Sequence, residues 1–342
     1  MVNMIDVTRV RATLGLAPES AAWYDTWNAV DVPGPAPIPT AKETRDILNR
    51  LGVDEIDIDA AVAARPDPRA DPELWWLVER CYRQLVGDMG GTDMIVWPRL
   101  GESTGHKGRF AYLYALLAAL PTTLAFHASR GIGEDVTWAT LANLGEKLRL
   151  NRARYGVPGL SVAFWFTLHF RGSLYQLGRL EYAIERVRED DGFPGLAPGD
   201  LKLGVHIPGE GGPMSPQACA ASLARVDDFF ARHFPEHFAE PATLTCSSWL
   251  LDPQLRTGLD TTSNIIALQD LFALTPPSPY ADANGRKDVL LFVFNRVGDV
   301  DPTELPRGSR LERMLADGLA AGTRWQVRSG VVKRPFPLSA KR

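Results

Sequence analysis

The residues best suited to chemistry lie in one stretch of the chain, from Leu201 to Pro235. Its first residues alternate between apolar and polar up to His206, which is typical of a strand with one buried face, and glycines and prolines follow at once. An imidazole titrates near pH ~6.5 in unstructured peptides, so a histidine at such a strand end suits proton transfer at neutral pH. His206 is therefore a candidate catalytic residue. An equally good interpretation gives it a hydrogen bond that orders the following loop.

Two further side chains could take part in the same kind of reaction. Glu181 lies on the polar side of an alternating segment and could act as a general base if it is partly buried. The alternative for Glu181 is an exposed carboxylate or an ion pair with Arg179. Cys246 could be a nucleophile that forms a covalent intermediate, although a lone cysteine in an apolar strand usually belongs to the core. The histidines show no metal-ligand spacing with carboxylates or thiols, so no metal site is predicted.

The glycine-rich segment after His206 could bind an anion. Ser215 can cap the helix that follows and Pro216 suits its first position, so the predicted order is strand, glycine loop, helix. Backbone N–H groups at the positive end of a helix dipole bind phosphate. The predicted binding residues are Ile207, Gly209, Gly211, Gly212, Met214 and Ser215. A tight turn without a ligand explains the same glycines, because short glycine-rich patterns are common.

The second half of the chain must supply the elements that position this loop. Alternation over Leu160–Phe170 and again over Leu174–Tyr182, with Arg171-Gly172 between them, predicts a long antiparallel hairpin. Further strands are predicted over Leu201–Ile207, Ala242–Trp249, Val289–Phe294 and Trp325–Val332, and helices over 215–235, 264–272 and 311–319. Helices alternate with strands here, so the fold class is α+β with mixed pairing in the sheet.

The first third of the chain is predicted to be mostly α-helical. A short helix is expected over Pro18–Trp27, and several longer segments carry apolar residues at helical spacing. The run Phe110–Phe126 contains Pro121 and is shorter than the ~20 residues that a membrane span needs, so a buried helix is predicted and no membrane span. The predicted domains are a helical one over 1–132 and a mixed-sheet one over 133–342.

The composition excludes several classes of protein. A chain of 342 residues is long enough for two domains, and 37 Lys plus Arg against 41 Asp plus Glu give a net charge of -4 with no dense basic run. Nucleic acid is therefore not an expected partner. Three widely spaced cysteines argue against a disulfide framework, and no signal-peptide pattern begins the chain, so a cytoplasmic location is expected. The sequence leaves a homodimer open.

Several of these motifs together resemble a known family. His206 through Gly211 match the GNAT pyrophosphate signature Q/R-x-x-G-x-G/A, except that histidine stands where glutamine or arginine is usual. The segments YQLGRLEY, VHIPGEGGPMSPQACAASLARVDDFFARHFP and CSSWLLDPQL resemble a family in which a helical N-acyltransferase N-terminal domain precedes a GNAT-like C-terminal domain. The similarity extends over essentially the whole chain. Ser247 stands where this family is expected to carry a histidine.

The resemblance implies binding of coenzyme A or acyl-coenzyme A, with the diphosphate on the amides of Gly209, Gly211, Gly212 and Met214. It further implies transfer of the acyl group to a small-molecule amine by direct attack with help from a general base. The segment from Trp97 to Gly101 could shape the pocket, although a buried tryptophan packed in the helical domain explains it as well. Because Ser247 replaces the expected histidine, the alternative is a non-catalytic protein that binds acyl-coenzyme A or a partner through a degenerate GNAT fold. A nucleotide-binding oxidoreductase is disfavoured because the loop lacks G-x-G-x-x-G.

Overall fold

The computed structural model describes residues 7–17 and 34–336, and the chain divides into two compact units, Met1–Tyr175 and Gln176–Arg342. The helix predicted over Pro18–Trp27 lies outside the described residues. The division comes later in the chain than the predicted boundary after residue 132.

The physical reason for the later division is the packing of one long helix, Glu134–Tyr155. Its Gly145 lies so close to the helices before it that a Cβ there would be 2.9 Å from the carbonyl oxygen of Gly52. This helix therefore belongs to the N-terminal unit. The apolar pattern of its sequence predicts a helix but not the unit in which that helix packs.

The N-terminal unit consists of helices, as predicted. Those in the described part of the unit are α1 (Val7–Leu14), α2 (Ala41–Arg50), α3 (Glu55–Ala63), α4 (Pro72–Gly87), α5 (Gly105–Gly108), α6 (Ala111–Ser129), α7 (Glu134–Tyr155) and α8 (Ala163–Arg171). Local signals define several ends: Thr40 and Glu43 form a capping box at the start of α2, and Gly156 ends α7 in the left-handed conformation.

Helix α6 forms the centre of the helical unit and runs without a break through Pro121. By length and composition the segment Glu102–Ser129 could cross a membrane, but 67% of its apolar window is buried inside the structure. Helix α6 packs against α4 and α8, and a helix that is apolar on all sides is typical of a buried core position. The predicted buried helix is confirmed.

The predicted hairpin is wrong in both strands: its first strand is a helix, and its second, Leu174–Tyr182, is divided by a turn into two strands. Residues Ala163–Arg171 form helix α8, and its end carries Gly172 with a positive φ of 71°. The alternating apolar residues of this segment also include Phe166 and Phe170, which are four residues apart and fully buried. Short apolar runs of this kind fit both the strand period and the helix period, and tertiary packing favours the helix here.

A six-stranded mixed sheet is the centre of the second unit. Its strands are β1 (Leu174–Leu177), β2 (Leu180–Arg186), β3 (Leu201–His206), β4 (Leu244–Ser248), β5 (Phe272–Leu274) and β6 (Arg328–Val332). They lie in the order β1-β2-β3-β4-β6-β5, with β3 parallel to β4 and antiparallel to β2. Strand β1 crosses the division between the units. The predicted α+β class with mixed pairing is confirmed.

Five α-helices accompany the sheet in the described part of this unit. They are α9 (Pro216–Leu223), α10 (Val226–His233), α11 (Asn264–Asp270), α12 (Ala281–Phe292) and α13 (Arg310–Ala320). The single helix predicted over 215–235 is thus two helices. The strand predicted over Val289–Phe294 is wrong, because most of it belongs to α12, whose buried residues Ala281, Gly285 and Val289 recur every four positions.

Candidate active site

A polar surface lies on one face of β2 and β3. The antiparallel register places Glu181 opposite His206 and Glu185 opposite Lys202, and Gly204 lies between the two pairs. Directly opposed residues project from the same face of a sheet, so these side chains share one side. Most of the face is buried: Glu181 is 1% exposed and Lys202 is 5% exposed.

Glu185 joins the two ends of this surface. Its Oε2 accepts a hydrogen bond from the Lys202 ammonium, and its Oε1 lies 3.1 Å from Nε2 of His206. Lys202 also donates to Oγ1 of Thr245 on β4 at 3.3 Å and lies over the ring of Phe193, 5.2 Å from its centroid. The carboxylate of Glu185 is therefore held at both oxygens by cationic or potentially cationic groups.

The charge of Glu185 follows from this environment. Burial alone would raise the pKa of the carboxyl group. The hydrogen bond and charge of His206, followed by the charge and hydrogen bond of Lys202, more than offset burial and lower the pKa to about 2. Glu185 is thus ionised at neutral pH and is a hydrogen-bond acceptor only.

Glu185 and Lys202 are not among the residues predicted from the sequence. The signal that could have found them is the glycine inside β3, because a glycine in a strand interior often marks a place that another group occupies. A Cβ at Gly204 would lie 2.3 Å from Oε1 of Glu185, so the carboxylate lies in the space that the glycine leaves. Gly204 therefore allows Glu185 to reach past its own cross-strand partner toward His206.

Strands β3 and β4 part at the end where His206 lies. Within the described strands, their parallel pairing covers Leu203 with Leu244 and Gly204 with Thr245. Beyond that point β3 stays paired with β2 as far as His206, and β4 stays paired with β6 as far as Ser248. An opening between two strands therefore begins beside His206.

The predicted glycine loop follows His206 directly. Gly211 and Gly212 are exposed and have φ values of 98° and 87°, which residues other than glycine rarely adopt. A Cβ at Gly212 would meet nothing within 4 Å, so the loop is open on that side. Gly209 is exposed as well, and Ile207 and Met214 are half-buried. The arrangement leaves room for a ligand beside the loop backbone.

The helix after the loop begins as predicted. The hydroxyl oxygen of Ser215 accepts a hydrogen bond from the amide of Ala218 at 3.2 Å, and Pro216 occupies the first helical position. Helix α9 packs on the other face of the sheet, since Ser222 lies 3.0 Å from the hydroxyl of Tyr182 on β2. The N-terminal end of α9 adds a positive dipole end to the loop.

Arg179, in the turn between β1 and β2, supports the glycine loop from the protein side. Its Nε donates to the carbonyl oxygen of Gly212 at 2.9 Å, and the residue is 8% exposed. A guanidinium group is always charged in proteins, so it contributes a fixed positive charge next to the loop. The sequence had offered Arg179 only as a partner for Glu181.

The remaining candidates lie around His206 in different ways. Glu181 meets the condition of burial that a general base needs, and it faces the same side as His206. Cys246 alternates to the opposite side of β4 from Thr245 and is 3% exposed; burial, and then the charge of Glu185, raise the pKa of its thiol to about 12. Ser247 is exposed, and its hydroxyl lies 2.7 Å from that of Ser329 on β6.

Trp97 belongs to the core of the helical unit. It is 7% exposed, stacks on Tyr112 at a centroid distance of 5.0 Å, and donates from Nε1 to Gln84 at 2.9 Å. The structure thus gives Trp97 the packing interpretation. Among the described residues, no three histidine, cysteine or acidic side chains cluster as metal ligands would.

Comparison with known proteins gives the family. The N-acyltransferase N-terminal domain model matches residues 42–172, and the GNAT-like C-terminal domain model matches residues 174–332. Comparison with curated proteins gave no match.

Solved acyltransferase structures match over nearly the whole chain. A variant in complex with octanoyl-CoA and an acyltransferase in complex with decanoyl-CoA and teicoplanin each show 40% identity and a TM-score of 0.89, covering 97% of this chain and 100% of theirs. A complex with CoA and 10C-teicoplanin has 39% identity, the same TM-score and the same coverage. The chain therefore belongs to the family of acyltransferases that join an N-acyltransferase N-terminal domain to a GNAT-like C-terminal domain.

Proposed function

We propose that this enzyme transfers an acyl group from acyl-CoA to an amine, with His206 as the general base. The observation that carries the proposal is the position of His206 at the end of β3, where β3 and β4 part and the glycine loop begins. A base must lie within reach of the amine, and the amine must approach the thioester carbonyl in line. The end of β3 provides the base, and the adjacent opening between the strands gives the amine and the thioester a place to meet.

The glycine loop is the proposed site of the coenzyme A diphosphate. Its exposed glycines, the capped start of α9 and the charge of Arg179 together favour a polyanion. The opening between β3 and β4 then accepts the extended part of the donor, which brings the thioester toward His206. The solved relatives were obtained in complex with octanoyl-CoA or CoA, which supports coenzyme A as the ligand.

The reaction needs one base and one group that binds an oxyanion. The neutral amine attacks the thioester carbonyl carbon, and His206 takes a proton from the attacking nitrogen. The carbon–sulfur bond then breaks, which leaves the amide, and the coenzyme A thiolate takes up a proton. Backbone N–H groups of the parted strands are suited to the negative charge that develops on the carbonyl oxygen.

Direct attack is preferred over an acyl-enzyme. A cysteine nucleophile must be a thiolate that the donor can reach, whereas Cys246 is buried on the other side of the strand and its pKa is raised to about 12. Glu181 faces His206 across the strands and is retained as the second candidate base.

The relatives suggest the substrate class. Two of them were solved with octanoyl-CoA or decanoyl-CoA, and the decanoyl-CoA complex also contains teicoplanin. At 40% identity over the whole chain, we extend this to a donor of medium acyl chain length and an acceptor amine on a molecule of the teicoplanin kind.

The test begins with coenzyme A binding by calorimetry and continues with thiol release from octanoyl-CoA and decanoyl-CoA against a panel of primary amines. His206→Gln is expected to lower kcat about a hundredfold or more and to leave the coenzyme A Kd within twofold, because a positioned base contributes ~10²–10⁴ in rate. His237→Gln, on an exposed histidine, is the matched control.

Three outcomes separate the hypotheses. Failure to bind coenzyme A at millimolar concentration would refute the acyl-CoA assignment. Tight binding without thiol release for any amine would favour the non-catalytic alternative. An equal loss of binding and turnover in His206→Gln would give His206 a structural role in the loop.

A further inference from the structure

The Lys202–Glu185–His206 cluster has a geometry that a simple ion pair does not require. Lys202 and Glu185 are direct cross-strand partners, so the two charges could satisfy each other without any contact with His206. Instead the carboxylate lies along β3, with one oxygen on Lys202 and the other 3.1 Å from His206 Nε2.

The strand is built to allow this displacement. Lys202 and His206 are four residues apart, which is about 13 Å along a strand, and the position between them on the same face is Gly204. Any side chain there would collide with the carboxylate, since a Cβ would lie 2.3 Å from Oε1. The residue opposite Gly204 is Ala183, which is also small.

We infer that Glu185 is a positioning residue for the acyl transfer: it fixes the orientation and tautomer of His206 so that Nδ1 is the nitrogen that accepts the proton. The inference rests on the proposed function for its role in catalysis, whereas the effect on the His206 ring can be measured without turnover. Lys202 and Gly204 serve the same purpose: Lys202 holds the carboxylate, and Gly204 leaves the space in which His206 can donate to it.

The chemistry follows from the charge of the partner. An ionised carboxylate has only acceptor oxygens, so the hydrogen atom of the 3.1 Å contact belongs to Nε2 of His206. In a neutral imidazole that protonation leaves the lone pair on Nδ1. When Nδ1 then takes a proton from the amine, the negative charge of Glu185 stabilises the imidazolium ion.

Other charged groups near His206 must be considered for the pH dependence. Strand β2 contributes Glu181 as well as Glu185, β3 contributes Lys202, and the titratable residue of β4, Cys246, faces the other side of the sheet. The loop contributes Glu210, which is exposed, and the turn between β1 and β2 contributes Arg179, which lies against the loop at Gly212. Glu181 is the competing carboxylate, and the experiment must distinguish it from Glu185.

The experiment compares Glu185→Gln with wild type in two measurements. NMR titration of the His206 ring is expected to show a lower midpoint in the variant, because a negative neighbour has been removed. In the amine-dependent thiol-release assay, kcat is expected to fall about tenfold to a hundredfold, part of the ~10²–10⁴ that a positioned base supplies, with an unchanged KM for acyl-CoA. Glu189→Gln, on an exposed glutamate after β2, is the matched control.

Gly204→Ala provides a second variant that keeps both charges. Its Cβ displaces the Glu185 carboxylate, so it should reproduce the lower His206 midpoint and the lower kcat. An unchanged His206 titration in both variants would overturn the inference, as would a shift caused by Glu181→Gln and not by Glu185→Gln. A wild-type protein without turnover would refute the proposed function, while the NMR comparison would still decide the role of Glu185.

Discussion

The N-terminal helical unit and the C-terminal unit that contains the sheet (the sheet unit) each contain a buried cation. The two cations bind different kinds of partner. In the helical unit Arg171 is fully buried and donates to the Thr167 carbonyl at 2.9 Å, to the Asp93 carbonyl and to the Asp88 carboxylate. The partner set consists of two backbone groups and one carboxylate that is 57% exposed. The contacts with Asp88 and Asp93 join α8 to the segment that follows α4, whereas the contact with Thr167 lies within α8.

In the sheet unit Lys202 is also buried, but its carboxylate partner also contacts a side chain that is partly exposed. Glu185 receives the ammonium on one oxygen and contacts His206 with the other, and the His206 side chain is 31% exposed at the end of β3. The chain of contacts thus runs from a buried charge to an imidazole beside the strand opening. A buried charge whose partner contacts an accessible titratable group at a strand opening is a candidate for chemistry, whereas the Asp88 and Asp93 partners of Arg171 hold two segments of the helical unit together.

Replacing each cation by methionine should separate the two roles and gives the largest expected effect. Arg171→Met removes the guanidinium that donates to the Asp93 and Thr167 carbonyls and pairs with Asp88, and it should lower the free energy of unfolding by about 3 kcal/mol. Since Asp88 is mostly exposed, water can solvate its carboxylate, which keeps the cost at the lower end for a broken buried pair. Urea unfolding measures this loss.

The Lys202→Met variant completes that experiment. At a temperature where both variants are folded, Arg171→Met should keep the wild-type kcat, whereas Lys202→Met should lower kcat at least about tenfold through the Glu185–His206 contact. The comparison between the units fails if Arg171→Met loses as much kcat as Lys202→Met does.

The features that sequence predicted well are those that depend on local order along the chain. Strand β3, the glycine loop and the capped start of α9 follow from alternation, from turn residues and from Ser215-Pro216, all within about 20 residues. Glu185 could not be found in this way, because its role depends on the register of β2 against β3 and on the space above Gly204. A shift of one residue in register would have turned its side chain to the other face.

Segments with two compatible periods were the ones that sequence predicted wrongly. The alternation over Leu160–Phe170 is real, but Phe166 and Phe170 are also one helical turn apart, and both are buried in the helical core. The same ambiguity applies to Val289–Phe294. Which period prevails is set by the elements that pack against the segment, and these come from distant parts of the chain.

A second pair of residues, two histidines, sharpens the comparison by pH. His127 in α6 is 1% exposed, lies 2.9 Å from the Thr137 hydroxyl through Nδ1, and contacts the ring of Tyr175. Burial lowers the pKa of His127 from 6.5 to about 4. The folded state therefore holds the buried His127 ring neutral, whereas His206 is half-exposed and has an ionised carboxylate as its partner.

Protonation of His127 destabilises the folded state as the pH falls below 6.5. The unfolded chain binds a proton at His127 below about pH 6.5, whereas the folded protein binds it only below about pH 4, so stability is full above pH 6.5 and falls between these values. The loss amounts to about 3 kcal/mol at most. His127→Asn should flatten the urea-unfolding free energy over that range relative to wild type. Equal slopes in the two proteins would mean that His127 does not couple folding to pH.

Replacement of Gly211 gives the smallest expected effect and tests whether the sheet unit holds an anion at the end of β3. Gly211 has a φ of 98°, so any side chain there adds backbone strain. The side chains introduced by Gly211→Asn and Gly211→Asp have nearly the same size. The strain therefore cancels between the two variants, and the difference between them is one negative charge. Because that charge would enter the proposed phosphate site, Gly211→Asp should bind coenzyme A about tenfold more weakly than Gly211→Asn in calorimetry, with a gap that narrows as salt increases. Equal Kd values for the two variants would show that the diphosphate does not lie at this glycine, and the end of β3 would then lose its proposed anion site.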